Sequence, residues 1–152
     1  MGEYDYVPGI LRELGVRLLI TKLRIKPGKP FVFGLKTIDS PAPRSVFVFG
    51  LPGNPVSAFV CTALLAGRLI RRWQGKSPEE DWVDATLAMD LPVNGPREFY
   101  QPIQLAQGRA NALHWKGSAD IFTLAHANAV LRREENAPAI AAGQRIRVMP
   151  II

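Results

Sequence analysis

The stretch FVFGLPGNPVSAFV, residues 47–60, places two prolines and a glycine between two apolar runs. The first run is short and uncharged, and it predicts a buried strand over Ser45–Gly50. Asn54 is a favourable N-cap and Pro55 a favourable first helical residue, so a helix is expected to begin here. This order of strand, tight turn and helix decides the expected fold of the first half of the chain.

The predicted helix runs toward Gly75, because apolar or small side chains recur at helical spacing. They are Val56, Phe59, Val60, Ala63, Leu64, Gly67 and Ile70. The N–H groups of its first turn would form an anion site at the end of the sheet, and Pro52 and Pro55 would make the loop rigid. A plain strand-to-helix connection is the alternative, and this stretch taken alone favours it.

A basic segment lies upstream of this motif. A short helix is predicted over Pro8–Leu14, and a strand over Val16–Ile25 that forms a hairpin with Phe31–Leu35 through the turn pair Pro27-Gly28. The step of two along the first strand would place three cations on one face, Lys22, Arg24 and Lys26, with Lys29 following in the turn. A bound anion would offset their mutual repulsion, although an exposed strand face is also normal for such residues.

Composition and charge narrow the class of protein. The 152 residues are 47% hydrophobic and 21% charged, as in globular proteins. The net charge of +6 is uneven, because residues 1–75 carry +7 and residues 76–152 carry −1. This asymmetry indicates an anionic partner, or else a solvated basic surface. Cys61 is the single cysteine, which excludes an internal disulfide and suits a reducing compartment.

The second half predicts a different architecture. A polar linker over Gln74–Asp81 is followed by short strand candidates separated by Pro, Gly or Asn, which is typical of a small barrel or sandwich. These candidates are Val83–Leu91, Phe99–Leu105, Ala112–Trp115, Ala129–Arg132 and Arg145–Met149. His114 and His126 are too few and too isolated to predict a metal site. The uncharged run Ser45–Gly67 is interrupted by its prolines, so no membrane span is expected.

Two segments together resemble the MoeA family of molybdopterin molybdenumtransferases, which includes the gephyrin E domain. They are KLRIKPGKPFVFG (22–34) and FGLPGNPVSAF (49–59). REFYQP, KGSADIFTLAHAN and AGQRIRVMPI are similar to the small carboxy-terminal β-domain of that family. The resemblance implies an α/β fold for residues 1–75, as the C-terminal half of a MoaB/Mog-like, three-layer molybdopterin-binding domain. It implies a small all-β, barrel-like domain for residues 76–152.

Family proteins are more than twice as long, so the resemblance implies that this chain is a carboxy-terminal portion. An exposed sheet edge and an uncovered sheet face are therefore expected in the first half of the chain. The implied reaction inserts molybdate into adenylylated molybdopterin with release of AMP, and Mg²⁺ is the implied cofactor. The family builds its site between the molybdopterin-binding domain of one subunit and the β-domain of its dimer partner. The fragment is expected to be inactive alone, because the upstream half of the nucleotide-pterin pocket would be lacking and catalysis depends on positioned groups.

The resemblance carries individual roles to matching residues of this chain. The implied catalytic residues are Asp5, Lys22 and Lys26, and the implied substrate- or anion-binding residues are Lys29, Pro52, Gly53, Asn54, Pro55 and Ser118. The lysines would offset the charges of molybdate and phosphate, and Asp5 would bind Mg²⁺ or position a water. Gln101 departs from the family pattern R-E-F-x-R, which usually has arginine there.

The protein partners implied by the resemblance are a second copy of the chain and a Mog-like adenylyltransferase. The resemblance also implies a cytoplasmic location, and neither a membrane nor a nucleic acid is an expected partner. A non-catalytic dimerisation or scaffold module, like the gephyrin E domain, is the main alternative. A nonspecific nucleic-acid binder is suggested by the pI near 9.9 alone, and no nucleic-acid-reading motif accompanies it.

Overall fold

The computed structural model describes residues 6–39, 41–79 and 81–151. The first half contains helix α1 and strands β1 to β4, followed by a long helix in three parts: α2, one π-helical turn and α3. The second half contains β5 to β9 and helix α4. Their bounds are α1 Val7–Glu13, β1 Arg17–Ile20, β2 Ile25–Lys26, β3 Val32–Ile38, β4 Arg44–Gly50, α2 Pro55–Cys61, the π turn Thr62–Ala66, α3 Gly67–Trp73, β5 Val83–Leu87, β6 Glu98–Ala106, β7 Arg109–Ala112, α4 Ile121–His126, β8 Ala129–Arg133 and β9 Arg145–Pro150.

The predicted antiparallel pairing is confirmed, because β1 pairs with β3 and places Leu18 opposite Gly34, but the two strands are not joined by the turn pair Pro27-Gly28 alone, since the connection between them contains β2. A Cβ at position 34 would lie 2.5 Å from Cγ1 of Val16, so only glycine fits this close approach. The strand predicted over Val16–Ile25 is wrong in its second part, because β1 ends at Ile20. The chain then leaves the first sheet, and β2 pairs in parallel with Glu98 and Phe99 of β6.

This departure corrects the arrangement of the basic residues. Lys22 and Arg24 lie in the irregular segment between β1 and β2, while Lys26 lies in β2. The three cations therefore do not share a strand face. Pairing with a distant strand explains the break, since the amide of Glu98 donates to the carbonyl of Arg24 over 3.1 Å and draws this segment to the second sheet.

The first sheet has the order β1-β3-β4, and within the described residues neither β1 nor β4 has a second neighbouring strand. The expected open edge is therefore present. The prediction that Ser45–Gly50 is buried is wrong, because β4 is exposed at its start and half-buried beyond. An apolar hollow of about 170 Å³ lies on this sheet and is lined by Ile20, Phe31, Phe33, Phe49, Leu65 and Leu69.

The helix predicted from Pro55 to about Gly75 is confirmed, with a π-helical turn in its middle. Gly75 adopts a φ of +71° just past its end, as a C-terminal glycine should. Val60 and Leu64 on its buried face pack against side chains of the second half: Tyr100, Val130 and Met149. This helix therefore joins the two halves through a shared apolar cluster.

The second sheet has the order β2-β6-β7-β5-β9-β8, and an additional pairing of β6 with β8 closes five of its strands into a barrel. The predicted small barrel is thus confirmed, with Leu87, Ile103 and Val148 in its core. The strand predicted over Ala112–Trp115 lies earlier, at Arg109–Ala112. The reason is the two-residue turn Gln107-Gly108, where both residues have positive φ and set the register of the hairpin.

No helix in the described part of the chain is long and apolar enough to span a membrane.

Candidate functional site

The start of the long helix is held by a segment of the second half. Asn54 has the extended backbone of an N-cap residue, but its side chain does not cap the helix. Instead Nδ2 of Asn54 donates to Oγ of Ser118 over 2.8 Å. The amide of Val56 donates to the carbonyl of Ser118 over 3.2 Å, so one first-turn N–H is already occupied. This hydrogen bond leaves fewer free N–H groups for the anion site that the sequence predicts at the start of this helix.

Lys26 lies where the two halves meet. Its Nζ lies 4.8 Å from the ring centroid of Phe99 and 5.2 Å from that of Trp115. These two rings stack with centroids 5.3 Å apart and an interplanar angle of 29°. Among the described residues, no carboxylate lies within ion-pair distance of Lys26. A positioned ammonium group without an acidic partner is available for an anionic ligand.

Lys26 lines a cleft of about 310 Å³ between β2 and the barrel. The other lining residues are Met89, Asp90, Leu91, Phe99, Gln101, Ala112, Leu113, His114 and Trp115. Two buried polar atoms in this group have no hydrogen-bond partner within the described structure: Oε1 of Gln101 and Nε1 of Trp115. We did not predict Phe99 or Trp115 as site residues. The alternation along β6 could have indicated that Phe99 shares a face with Gln101.

The remaining predicted residues are not among those that line this cleft. Lys22 and Lys29 are exposed, and the amide of Leu23 donates to the carbonyl of Lys29 over 3.1 Å, which closes the loop that carries Lys26. Pro52 is buried, whereas Gly53 and Pro55 are exposed at the turn before α2. Asp5 lies outside the described residues.

Gly28 and Cys61 fix the Lys26 loop onto the long helix. The thiol of Cys61 lies 3.8 Å from the carbonyl oxygen of Gly28. Burial raises the pKa of this thiol to about 11, which keeps it protonated and poorly nucleophilic. Cys61 therefore serves packing, as its position on the helix predicts.

Asp120 holds the segment that carries Ser118. Its carboxylate accepts hydrogen bonds from the hydroxyl and amide of Thr123 and from the amide of Lys116. The Thr123 hydroxyl contributes most to lowering the pKa of Asp120 to about 2, followed by the two amides. This N-cap of α4 orders residues 116–123, so Ser118 presents its carbonyl and hydroxyl to the long helix.

No group of three or more His, Cys, Asp or Glu side chains in the described ranges could hold a metal ion. His114 lines the cleft, whereas Nδ1 of His126 lies 2.7 Å from the carbonyl oxygen of Phe122 within α4.

Two family models match the chain in succession. One, described as "Probable molybdopterin binding domain", matches residues 1–72, and the other, "MoeA C-terminal region (domain IV)", matches residues 84–151. The molybdopterin molybdenumtransferase of Haemophilus influenzae is 29% identical over 99% of this chain and 37% of its own length. The Synechocystis enzyme of the same name is 28% identical over 94% of this chain and 34% of its own length.

Solved structures agree with these sequence matches. A molybdopterin biosynthesis MoeA protein of Pyrococcus horikoshii superposes with a TM-score of 0.77 and 25% identity, over 97% of this chain and 35% of that one. The chain thus spans about a third of the length of the relatives it matches. Both regions occur here in the same order, and the chain belongs to the MoeA family, matching the carboxy-terminal part of its longer members.

Proposed function

We propose that this chain supplies part of a site that inserts molybdate into adenylylated molybdopterin and releases AMP, as a molybdopterin molybdenumtransferase. The observation that carries the proposal is the ammonium group of Lys26, which lies in the cleft without an acidic partner among the described residues. Family membership supports the assignment, since the matched relatives bear that enzyme name.

In this proposal the chain acts by electrostatics. Lys26 attracts molybdate or a phosphate oxygen and stabilises the charge that develops on the leaving phosphate. Lys22 and Lys29 raise the positive potential at the entrance, and Asn54 with Ser118 holds the turn formed by Pro52, Gly53 and Pro55. We assign Asp5 to Mg²⁺ on the family resemblance only. Because positioned groups rather than one nucleophile do the work, the site needs every segment that surrounds the substrate.

Several further assignments belong to the same proposal. Residues 1–75 would complete a three-layer α/β, MoaB/Mog-like domain with chain supplied from outside them, and residues 76–152 would form the β-domain. A homodimer and a Mog-like adenylyltransferase are the proposed protein partners. A cytoplasmic location is supported by Cys61, a single reduced cysteine.

In the structure, however, the second half of the same chain contacts Lys26 and Asn54, so the β-domain that faces this part of the site need not come from a dimer partner.

A non-catalytic scaffold like the gephyrin E domain is the second candidate. The apolar hollow on the first sheet favours it, because exposed apolar surface of this kind can bind a partner.

A fusion experiment tests the proposed function. The amino-terminal part of the Haemophilus influenzae relative, which this chain does not match, is joined to this chain, and the fusion is expressed in bacteria that lack their own molybdenumtransferase. We expect the fusion to restore active molybdenum cofactor and the isolated chain to give none. Lys26→Ala should abolish the restoration, whereas Lys76→Ala, an exposed lysine away from the cleft, should not. Restoration by the Lys26→Ala fusion would contradict the role of Lys26, and restoration by the isolated chain would contradict the need for the relative's amino-terminal part.

A further inference from the structure

Two arginines face each other at the point where two strands of the barrel part. Strands β8 and β9 pair with Leu131 opposite Val148, and the paired ladder ends there. Arg132 and Arg147 are the next residues of the two strands, and a cavity of about 320 Å³ opens that both of them line. Like charges at opposing positions of a sheet repel each other and destabilise the pairing. An anion bound between the two guanidinium groups would offset this repulsion.

Both guanidinium groups keep hydrogen-bonding capacity in the described structure. Arg132 donates to Glu98 through Nε and Nη2 over 2.8 and 3.3 Å, and its Nη1 has no partner among the described residues. Arg147 has no ion-pair partner in that part of the chain. Asp84 lies opposite Arg147 in β5, but its carboxylate pairs with Arg145 over 3.3 Å. The neighbouring carboxylates therefore leave positive charge at this cavity.

A second cavity of about 210 Å³ adjoins the first, because Trp82 and Arg132 line both. It lies between the long helix and the barrel, and Arg68 of α3 is among its lining residues. The two cavities together form the arginine groove, defined by Arg68, Trp82, Arg132 and Arg147. No acidic side chain of the described residues lines either cavity. The planar guanidinium group matches the oxygens of a phosphate in a two-point contact, which an ammonium group cannot make.

We propose that the arginine groove binds a small ligand that carries two linked phosphate groups, of the inorganic diphosphate class. One phosphate contacts Arg147, the other contacts Arg68, and Arg132 at the junction of the cavities contacts both. The three arginines come from three separate elements and converge on two joined cavities, which suits a compact ligand better than an extended chain of charges. The bound ligand joins the long helix to the barrel and so stabilises the connection between the two halves. Lys26 lines neither cavity, so this site is separate from the cleft that carries the proposed function.

Calorimetry with inorganic diphosphate at constant ionic strength tests this inference on the chain itself. Arg147→Gln removes one cation of the groove, and Arg147→Lys keeps the charge but removes the two-point contact. Arg109→Gln is the matched control, at an exposed arginine of β7 that lines neither cavity. Lys26→Ala is titrated as well, because Lys26 is a proposed anion site elsewhere. Orthophosphate, a hexaglutamate peptide and a short single-stranded DNA are the comparison ligands.

We expect Arg147→Gln to weaken diphosphate binding by about tenfold or more, the loss expected for one hydrogen bond to a charged group. Arg147→Lys should weaken it by about threefold or more, whereas Arg109→Gln and Lys26→Ala should change it by less than about twofold. Orthophosphate should bind at least about tenfold more weakly than diphosphate, because it lacks the second group. Diphosphate should raise the thermal midpoint of the wild type more than that of Arg147→Gln. Equal midpoints without ligand would show that the variants remain folded.

Three results would overturn the inference. Absence of diphosphate binding, or an equal loss in Arg147→Gln and Arg109→Gln, would show that the chain responds to anions through its net charge alone. A loss confined to Lys26→Ala would assign diphosphate to the other cleft. Tighter binding of the peptide or the DNA than of diphosphate, with the same dependence on Arg147, would show that the groove takes a larger polyanion instead.

Discussion

The side chain of Asn54 donates a hydrogen bond to Oγ of Ser118 over 2.8 Å, although the two residues are 64 positions apart in the chain. The neighbouring amide of Val56 donates to the carbonyl of Ser118. A side-chain and a main-chain hydrogen bond therefore fasten the start of the long helix to the segment before α4. This pair of contacts connects the two regions that belong to different family models.

The Asn54–Ser118 contact should appear as a coupling energy. We expect a double-mutant cycle with Asn54→Ala and Ser118→Ala to give about 0.5–1.5 kcal/mol in the free energy of unfolding, the usual net value of one hydrogen bond. Urea unfolding measures it. A cycle that pairs Ser118→Ala with Asn111→Ala, at an exposed asparagine of β7, should show additivity. A coupling below about 0.3 kcal/mol for Asn54 with Ser118 would contradict the contact.

Replacing Gly28 by alanine should destabilise the loop that carries Lys26. A Cβ there would lie 2.8 Å from both Sγ of Cys61 and Cδ1 of Ile25, and the residue has a φ of +119°. Overpacking and strain together predict a loss of about 2–4 kcal/mol in the free energy of unfolding. Gly53→Ala is the matched control, because its Cβ would meet nothing within 4 Å and its change should be near zero. Equal effects of the two substitutions would show that Gly28 is not closely packed.

The thiol of Cys61 should be unreactive in the folded chain. Its folded pKa of about 11 exceeds the unfolded value of 9.0, so folding stability is unaffected by this group below pH 9 and falls as pH rises from 9 toward 11. We expect a disulfide reagent to label Cys61 at least about tenfold more slowly in native protein than in urea at mildly alkaline pH. Rapid labelling without denaturant would show that the site is accessible.

Protonation of Asp120 should release the segment around Ser118. Its pKa is about 2 when folded and 3.8 when unfolded, so its contribution to stability is complete above pH 3.8 and is lost as pH falls from 3.8 through 2. The amide resonance of Thr123 should titrate with a midpoint near 2. Asp120→Asn should remove this titration. A midpoint near 3.8 in the wild type would mean that the N-cap does not form in solution.

The chain should associate with itself through the first half. Trp73 is 67% exposed and Ile70 is 48% exposed on α3, beside a sheet whose apolar hollow is open. Burial of apolar area contributes roughly 25 cal/mol per Å², which should exceed the screened repulsion between two chains of net charge +6. Light scattering at micromolar concentration should therefore give a mass above 16.8 kDa.

A paired substitution identifies the surface responsible for this association. Ile70→Lys with Trp73→Lys should reduce the mass toward that of a single chain. Phe122→Lys, at a side chain that is 78% exposed on α4, should leave it unchanged. A wild-type chain that remains at 16.8 kDa would refute the prediction of self-association.

Local backbone chemistry made part of this structure predictable from sequence. Pro55 and Gly75 bound the long helix, because proline suits a first helical turn and glycine adopts the positive φ that follows the last one. The Pro, Gly and Asn residues that separate the strand candidates of the second half predicted four of the five barrel strands in nearly their observed places. The fifth, β7, was displaced because the positive φ of Gln107 is not a local preference of that residue.

Contacts between distant segments decided the rest. The sequence alone placed Lys22 and Lys26 on one strand, whereas pairing of β2 with β6 separates them and brings Lys26 to Phe99. Asn54 is a good N-cap by type, yet its side chain donates to Ser118 instead. In both cases the outcome depends on which hydrogen-bonding groups and rings from far along the chain arrive at the same place, and local residue preferences contain no information about those partners.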